Sequence, residues 1–407
     1  MSMPASNKTI GIYLGSSPDG GGTYQYNLSI IKALETFDRS RYRVFAFFRS
    51  EAWKTNLPDA FEQIFVEEIR YRKVLGGIYR RIDRSKEGLR RFSSLFNPMV
   101  AAINKSSCDL VIFPSQDALS YQCNKQSLCA IHDLMHRYES QFNEYKFGEY
   151  AMRERHYANI CRYAAGILAD SELGKKQIVE SYTASPDNVF VLPFIPPYYL
   201  LNAKTVDVRK KYKLPERYVF YPAQFWEHKN HLRLLDALKI LRNQGVEINL
   251  VLTGAPRYNY RKVLKQIQQL GLGENVFFLD YVSNDDIYSL YKNAVALVFV
   301  SLIGPTNIPP LEAMTAGCPA IVSDIYAMPD QVGDAGLMVD PLNPADIAHK
   351  ISLIWNDEAL RQSMIEKGFR QIQQWGSVQF NSRFKDIVDN ILSPGSLLHN
   401  RLLKNRV

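Results

Sequence analysis

The sequence predicts an α/β fold made of two doubly wound parallel-sheet domains that face each other across a cleft. Short apolar runs rich in β-branched and aromatic residues alternate with helix-length amphipathic segments along the chain, which is typical of βα units. Several runs are apolar at consecutive positions, as expected of strands covered on both faces. A Pro-rich stretch at 193–199 separates two such series, because it can continue neither a helix nor a central strand.

The apolar runs define the predicted strands. They lie at 9–15, 42–48, 109–114, 127–133, 166–171 and 189–194 in the first half, and at 218–224, 248–254, 276–282, 296–301, 319–324 and 336–340 in the second. The length of 407 residues allows two domains, each with its own core. We expect an N-terminal domain over 1–197, a C-terminal domain over 198–377, and a last helix within 378–407 that packs back on the first domain. Ligands of such sheets bind beyond the carboxyl ends of the strands.

Composition narrows the class of protein. An apolar content of 46% and a charged content of 22% are typical of globular proteins that are not embedded in a membrane. No apolar run reaches the ~20 residues of a membrane helix, and the first residues lack a signal-peptide core, so we expect a cytoplasmic protein. The five cysteines and the pair His132 and His136 lack the spacing and flanking residues of zinc sites. We therefore expect neither a metal nor another cofactor.

Most of the net charge of +8 lies in one segment, 70–91, where nine basic residues outnumber two acidic ones. Apolar residues recur there at roughly helical spacing, which is typical of a membrane-surface or anion-binding helix. A solvated helix face is the alternative, and no recognised motif favours nucleic acid as a partner. The residues that we expect at a membrane or acceptor face, in peripheral contact with an anionic bilayer, are Arg72, Lys73, Arg80, Arg81 and Arg84.

The stretch Gly-Pro-Thr-Asn-Ile-Pro-Pro-Leu-Glu-Ala-Met at 304–314 is the most informative about function. It follows a predicted strand and leads into a helix whose prolines are tolerated in the first turn. We expect the stretch from Gly304 to Asn307, which contains the candidate residues Pro305, Thr306 and Asn307, to point its free backbone N–H groups at an anion at this helix start. Glu312, expected in the first helical turn, would repel a phosphate, so we predict that it binds hydroxyl groups. Phosphate and hydroxyls together indicate a nucleotide sugar.

A glycine-rich turn follows the first predicted strand. The three glycines at 20–22 precede a helix pattern, with Thr23 as the expected N-cap. Glycines let the backbone approach a ligand closely, and a helix start attracts phosphate, so Gly21 and Gly22 are candidate donor-binding residues. A flexible turn without a ligand is the alternative.

Three further strand ends carry candidate residues. His132 could act as an acid, a base or a hydrogen-bond donor, or serve as a structural histidine. Lys229, in a turn before a helix pattern, could neutralise a diphosphate or be a surface lysine. Tyr281, followed by Val282, could pack on a nucleobase or belong to the core.

The order and spacing of these motifs resemble those of retaining glycosyltransferases of the GT-B fold, and more narrowly of glycosyltransferase family 4, also called group 1. The resemblance spans nearly the whole chain and is strongest over 218–341. The motifs that carry it lie at 20–22, 131–134, 170–172, 224–230, 309–314 and 332–336. The loop at 304–312 is similar to that of bacterial mannosyl- and rhamnosyltransferases of O-antigen or capsule synthesis.

The resemblance implies a role for each matching position. Gly22 would face the donor diphosphate, His132 would lie near the reacting sugar, Lys229 would bind the diphosphate, and Glu312 would bind the ribose hydroxyls. The donor would bind mainly to the C-terminal domain and the acceptor to the N-terminal domain.

Two departures from the family pattern stand out. The family usually has an arginine at the position of the predicted donor residue Gln224, and a second acid eight residues before Glu312, where this chain has Gly304. We expect Pro305, Thr306 and Asn307 to substitute for that acid through backbone N–H groups, a hydroxyl and an amide.

The resemblance thus implies a metal-independent, retaining hexosyltransferase. It would move mannose or rhamnose from a nucleoside-diphosphate sugar to a saccharide hydroxyl, on a lipid-linked glycan at the inner face of the cell membrane. Two alternatives stay open. One is a non-catalytic module of a polysaccharide assembly complex, which the two departures motivate, and the other is a sugar-nucleotide epimerase of the same fold.

Overall fold

The computed structural model of this chain describes residues 7–17, 21–67, 86–146, 148–279 and 282–393. These residues form two compact units. The first unit is drawn from Met1–Leu134, Gly148–Pro193 and Ser377–Val407, and the second from Met135–Phe147 and Phe194–Gly376. The prediction of two doubly wound parallel sheets is confirmed, one in each unit.

The first unit contains a seven-stranded sheet in the order β3-β2-β1-β4-β5-β6-β7. Every neighbouring pair of strands is parallel. The strands are β1 Lys8–Leu14, β2 Tyr42–Phe48, β3 Glu62–Phe65, β4 Leu110–Phe113, β5 Gln126–Ala130, β6 Gly166–Ala169 and β7 Val189–Val191. The strand order reverses between β1 and β4, which is the switch point of this sheet.

The second unit contains a six-stranded parallel sheet in the order β10-β9-β8-β11-β12-β13. Its strands are β8 Val219–Pro222, β9 Leu250–Thr253, β10 Val276–Leu279, β11 Ala296–Phe299, β12 Ala320–Ser323 and β13 Gly336–Val339. The order reverses between β8 and β11. In a doubly wound sheet this reversal leaves a crevice at the carboxyl ends of the two strands.

Helices connect the strands of both sheets. In chain order they are α1 Gly22–Glu35, α2 Lys86–Phe96, α3 Pro98–Lys105, α4 Leu119–Gln122, α5 Met135–Tyr138, α6 Glu149–Tyr163, α7 Glu172–Tyr182, α8 Val208–Tyr212, α9 His231–Asn243, α10 Tyr260–Leu270, α11 Asn284–Asn293, α12 Ile308–Thr315, α13 Met328–Val332, α14 Pro344–Asn356, α15 Glu358–Gln374 and α16 Ser377–Leu392. Within the described ranges, no helix combines the length and the apolar character needed to cross a bilayer.

The central strands are buried on both faces, which explains why their sequences are continuously apolar. All four residues of β4 and all four of β11 are buried. Burying each such aliphatic or aromatic side chain contributes roughly 1.5–3 kcal/mol relative to leaving it exposed. The strands therefore hold the loops at their carboxyl ends on a rigid base.

The last helix, α16, packs on α1 of the first unit. It buries Phe380, Phe384, Ile387, Val388 and Ile391, whose spacing places them on one helical face. The ring of Phe380 lies 6.3 Å from that of Tyr26, and the ring of Phe384 lies 6.0 Å from that of Phe37. Asp389 adds polar anchors, since it accepts hydrogen bonds from Lys8, Tyr42 and Lys385.

All the predicted strands are present, with ends that differ by a few residues. One described strand, β3, was not predicted. Its sequence Glu-Gln-Ile-Phe has no apolar run because it lies at the edge of the sheet, where most of its residues are exposed or half-buried. A second difference is that Met135–Phe147 groups with the second unit, although it lies within the range 1–197 predicted for the first domain.

Candidate functional site

The switch point of the second sheet brings two predicted donor loops together. The loop after β8 contains the short helical turn Glu227–Lys229, and the loop after β11 leads through 300–307 into α12. These loops follow the two strands at which the strand order reverses. Ligands of doubly wound sheets bind at this place.

Lys229 lies between the two loops. Its Nζ is 3.3 Å from Oδ1 of Asn307 and 3.4 Å from Oγ of Ser301. The same ammonium is 4.9 Å from the centroid of the Phe299 ring, which adds a cation–π contact. These three neighbours are neutral groups, and together they orient the ammonium. Two residues predicted from separate motifs, Lys229 and Asn307, are therefore in contact.

Gly304 explains why no acid stands at that position. Its φ is +112°, a conformation that residues with a side chain rarely adopt. A Cβ added there would lie 2.7 Å from the amide nitrogen of Asn307. The Asn307 amide therefore occupies the space into which a side chain at 304 would project. Our expectation that the amide of Asn307 substitutes for the family's acid stays a prediction.

The loop before α12 is tied to neighbouring loops through its backbone. The N–H of Asn307 donates to Oε1 of Gln331 at 3.0 Å, and Nε2 of Gln331 donates to the Asn307 carbonyl at 2.7 Å. The N–H of Ala327 donates to the carbonyl of Pro305 at 2.9 Å. Our expectation of a free N–H at Asn307 is thus corrected, because Gln331 already accepts from it. Pro305 is buried and Thr306 is half-buried.

Glu312 is more enclosed than the sequence predicts. The helix α12 begins at Ile308, so Glu312 lies in its second turn, whereas we expected it in the first. Its Oε1 accepts a hydrogen bond from the Tyr199 hydroxyl at 2.8 Å, and its Oε2 accepts one from the Tyr291 hydroxyl at 2.6 Å. Burial raises the pKa of Glu312, while the two hydroxyl donors lower it, and burial dominates. A ligand hydroxyl would share or replace one of these tyrosine contacts.

Sequence reasoning missed both tyrosines. Tyr199 belongs to the turn Tyr198–Leu201, within a stretch that the sequence marks only as a Pro-rich linker. Tyr291 lies on α11 with an apolar helix pattern around it, so it reads as a core residue. No local signal connects either residue with Glu312, which is far away in the sequence.

Gln224 has a cationic neighbour that the sequence did not reveal. Its Oε1 accepts hydrogen bonds from Nε1 of Trp226 and from Nε of Arg257, both at 3.0 Å. The guanidinium of Arg257 lies 5.2 Å from the centroid of the Trp226 ring. Arg257 follows β9, 33 residues beyond Gln224, and only the pairing of β8 with β9 brings them together.

An anchor segment, residues 135–146, contacts the turn that carries Lys229. Oε1 of Glu144 is 2.5 Å from Nδ1 of His228, and Nδ2 of Asn143 donates to Oε2 of Glu227 at 2.7 Å. Burial raises the pKa of Glu144, but the hydrogen bond and charge of His228 outweigh it and lower the pKa overall.

Apolar contacts support the same segment. Met135, Phe142 and Tyr145 form a buried cluster with Ile303, which lies in the loop after β11. The N–H of Leu302 donates to the carbonyl of His228 at 2.7 Å. The anchor segment thus holds both loops of the switch point.

His132 of the first unit stands at the carboxyl end of β5. Its Nε2 is 2.9 Å from the carbonyl oxygen of Pro114, so Nε2 carries a hydrogen and donates to it. Burial lowers the pKa of His132 despite this bond and the charge of Asp133, both of which raise it. The ring is therefore largely neutral near pH 7, and Nδ1 is its basic nitrogen. The ring of Tyr26 packs edge-on against it, with 5.0 Å between centroids.

The glycine turn of the first unit has a conformation that requires glycine. Gly21 is the N-cap of α1 with φ +56° and ψ −126°, and the helix begins at Gly22. Thr23 is therefore inside the helix, which corrects our expectation that it is the N-cap. Gly21 and Gly22 are both exposed.

Among the remaining predicted residues, Val282 is the one that lies within the described ranges. Val282 is buried in the core of the second unit, so its side chain packs inside the protein. Tyr281 lies outside the described residues, as do Arg72, Lys73, Arg80, Arg81 and Arg84. Within the part of the chain that the structure describes, no group of three or more His, Cys, Asp or Glu side chains could hold a metal ion. The expectation of no metal and no other cofactor stays a prediction.

Comparison with known sequences supports a glycosyltransferase domain. Residues 204–371 match the family described as glycosyl transferases group 1. The O-antigen chain mannosyltransferase B of Escherichia coli is 28% identical over 218 residues, which cover 51% of this chain and 56% of that protein. The O-antigen chain mannosyltransferase RfbU of Salmonella typhimurium is 31% identical over 176 residues, 43% of this chain and 46% of that protein. The matches thus span about half the length of these curated relatives.

Solved structures show the same fold. Sucrose-phosphate synthase from Thermosynechococcus elongatus superposes with a TM-score of 0.72 at 20% identity, covering 95% of this chain and 99% of that one. Anabaena HepE in complex with UDP-glucose gives 0.70 at 17% identity, with 94% and 99% covered. At these identities the likeness shows the fold alone. Residues 204–371 of this chain thus match the glycosyl transferases group 1 family, and the chain has the GT-B fold.

Proposed function

We propose that this chain is a retaining glycosyltransferase that moves a hexose from a nucleoside-diphosphate sugar to a hydroxyl of a saccharide. The observation that carries the proposal is the contact of Lys229 with Asn307 at the switch point of the second sheet. An oriented ammonium beside the start of α12 is a site for an anionic group. The nucleoside diphosphate would bind there, with the ribose hydroxyls near Glu312 and with Gln224, Pro305 and Thr306 lining the site.

The proposed chemistry is departure and attack on the same face of the sugar. The bond between C1 and the diphosphate oxygen breaks as the acceptor oxygen bonds to C1, and the leaving diphosphate takes the proton of the acceptor hydroxyl. Lys229 would stabilise the charge that develops on the diphosphate, which is the largest contribution expected of a site without a nucleophile. The neutral His132 would hydrogen-bond the acceptor, which we expect on the first unit.

Mannose or rhamnose is the proposed sugar, and a lipid-linked glycan of bacterial surface polysaccharide synthesis is the proposed acceptor. The support comes from relatives named as O-antigen mannosyltransferases and from the basic sequence of 70–91. We place the transfer in the cytoplasm at the inner membrane face, with no metal taking part. Sedimentation with liposomes should increase with the fraction of anionic lipid, and binding to neutral liposomes alone would count against the membrane contact.

The experiment is product formation by the purified chain with a panel of GDP-, UDP- and dTDP-sugars and saccharide acceptors, with and without EDTA. We expect transfer from one donor class, unaffected by EDTA, and a loss of roughly 100- to 1000-fold in kcat/KM for Lys229→Ala. The matched control is Lys262→Ala, since Lys262 is an exposed lysine on α10. Unchanged turnover in Lys229→Ala would refute the phosphate role. Donor turnover without any acceptor would instead indicate an epimerase, and no product from any donor would indicate a non-catalytic module.

A further inference from the structure

We propose that Arg257 is a second ligand of the donor diphosphate, bound to a phosphate group through its two terminal guanidinium nitrogens. This inference rests on the proposed function. It adds to the donor site a residue that follows β9, whereas Lys229 follows β8. Arg257 lies in the loop between β9 and α10, next to the loop between β8 and α9 that carries Lys229.

The two loops are fixed to each other through their backbones. A Cβ added to Gly254 would lie 2.4 Å from the carbonyl oxygen of Ala223, so only glycine permits this approach. Beyond that point the N–H of Phe225 donates to the carbonyl of Ala255 at 3.1 Å, and the N–H of Asn259 donates to the carbonyl of Phe225 at 2.9 Å. The backbone is therefore hydrogen-bonded to the β8 loop both before Arg257, at Ala255, and after it, at Asn259.

The side chain is oriented as well. Nε of Arg257 donates to Oε1 of Gln224, and the central carbon of the guanidinium lies over the Trp226 ring, 5.2 Å from its centroid. Nε1 of Trp226 donates to the same Gln224 oxygen, which fixes the ring and the amide together. The hydrogen bond to Gln224 uses Nε. Among the described residues, no hydrogen bond involves the two terminal nitrogens, and this fork is the part of arginine that binds phosphate in a bidentate manner.

The neutral partner is the second argument for an anionic ligand. A carboxylate at position 224 would hold Arg257 equally well but would cancel its charge. The amide orients the guanidinium and leaves its charge available. The amide oxygen of Asn307 lies in a similar way 3.3 Å from Nζ of Lys229. Lys229 and Arg257 follow the carboxyl ends of two neighbouring strands, β8 and β9, and each is oriented by an amide oxygen. Two such cations suit a ligand with two phosphates.

Calorimetric titration of the full chain with GDP, UDP and dTDP, and with the matching nucleosides, tests the inference. For the nucleoside diphosphate that binds, Arg257→Ala should weaken binding roughly ten- to a hundredfold, while binding of its nucleoside stays unchanged. Arg261→Ala, which alters an exposed arginine four residues further along, should leave both unchanged. The double variant Gln224→Arg and Arg257→Gln exchanges the two side chains and so places the cation at position 224. It should recover most of the affinity for the nucleoside diphosphate.

The outcomes separate this inference from the proposed function. If Lys229→Ala loses affinity for the diphosphate but Arg257→Ala behaves like Arg261→Ala, the role of Arg257 is refuted and the donor site stands. Equal losses for the nucleoside and the diphosphate would also refute it, because they would indicate a structural role. If the unaltered chain binds no nucleoside diphosphate, the proposed function and this inference both fail.

Discussion

At the residue scale, amides stand where charged side chains are expected. Asn307 takes the space beside Gly304 and contacts Lys229, and Gln224 contacts Arg257. An amide oxygen orients a cation by hydrogen bonding without the charge of a carboxylate. A carboxylate in the same place would reduce the attraction of the cation for an anionic ligand.

Asn307→Asp tests this effect with almost no change of shape. A carboxylate beside Lys229 would pair with the ammonium and repel a phosphate, so we expect the donor KM to rise at least tenfold. The thermal midpoint should stay close to that of the unaltered chain, because the side chain keeps its size. Steady-state kinetics with the preferred donor measure the effect, and an unchanged KM would mean that Asn307 lies away from the phosphates.

Gly304→Ala tests the backbone conformation that excludes an acid. At a φ of +112° a side chain is strained, and here it would also displace the Asn307 amide. We expect a loss of about 1–3 kcal/mol in the free energy of unfolding. Gly273→Ala is the control, since its φ is not positive and a Cβ there would meet nothing within 4 Å among the described residues. Denaturant titration should separate the two variants, and equal stability would contradict the strain.

These residue contacts could be predicted from the sequence only in part. The loop 304–314, Lys229 and His132 carry local motifs, and the structure brings Lys229 and Asn307 together as the order of strands requires. The partners Tyr199, Tyr291 and Arg257 have no motif. They reach the site through strand order and loop conformation, which a local pattern does not encode.

At the element scale, the anchor segment supports the turn of Lys229 through Glu144 and His228. Glu144→Gln keeps the shape of this contact but removes the charge from a bond in a half-buried position. We expect a severalfold rise in donor KM with little change in kcat, because the chemistry of Lys229 itself is unaltered. Glu180→Gln, an exposed position on α7, is the control. A loss confined to kcat would contradict a role in donor positioning.

The docking of α16 depends on Asp389, and this dependence should vary with pH. Burial raises the pKa of Asp389, but the hydrogen bonds from Lys385, Tyr42 and Lys8 outweigh it and lower the pKa to about 2. Because the folded pKa lies below the unfolded value, the stabilisation is complete above about pH 4 and is lost as the pH falls toward 2. The carboxylate is partly exposed, so solvent screening keeps its contribution below the roughly 2 kcal/mol that the shift alone would give.

Asp389→Asn should therefore lower the denaturation midpoint of the first unit at pH 7 and have a smaller effect near pH 3. Asp386→Asn is the matched control, since Asp386 is exposed on the same helix. Denaturant titration at both pH values measures the difference. An equal effect of Asp389→Asn at the two pH values would contradict the ionic anchoring of α16.

The sequence predicts the strands better than it predicts which segments belong to each of the two units. Strands such as β4 and β11 are continuously apolar because both faces are buried, and this pattern is visible in the sequence. The edge strand β3 lacks it because most of its residues reach solvent. Residues 135–146 carry no boundary signal, since their contacts with 227–228 and 302–303 are distant in the sequence.

At the scale of the whole molecule, each unit has a parallel sheet whose strand order reverses once. The reversals place the β1 and β4 loops together in the first unit, and the β8 and β11 loops together in the second. Folds of this kind support many activities, so the function has to be argued from the residues at these loops. The region that matches the group 1 family, 204–371, contains the second reversal, with Lys229, Asn307 and Glu312.

The anomeric configuration of the transfer product, followed by NMR, tests the central claim most directly. The full chain would be given the nucleoside-diphosphate sugar that it binds and a saccharide acceptor, and the new glycosidic bond would be assigned. We predict a product whose anomeric configuration equals that of the donor, formed far more slowly by Lys229→Ala. A product of inverted configuration would contradict departure and attack on the same face. No product from any donor that the chain binds would contradict transfer itself.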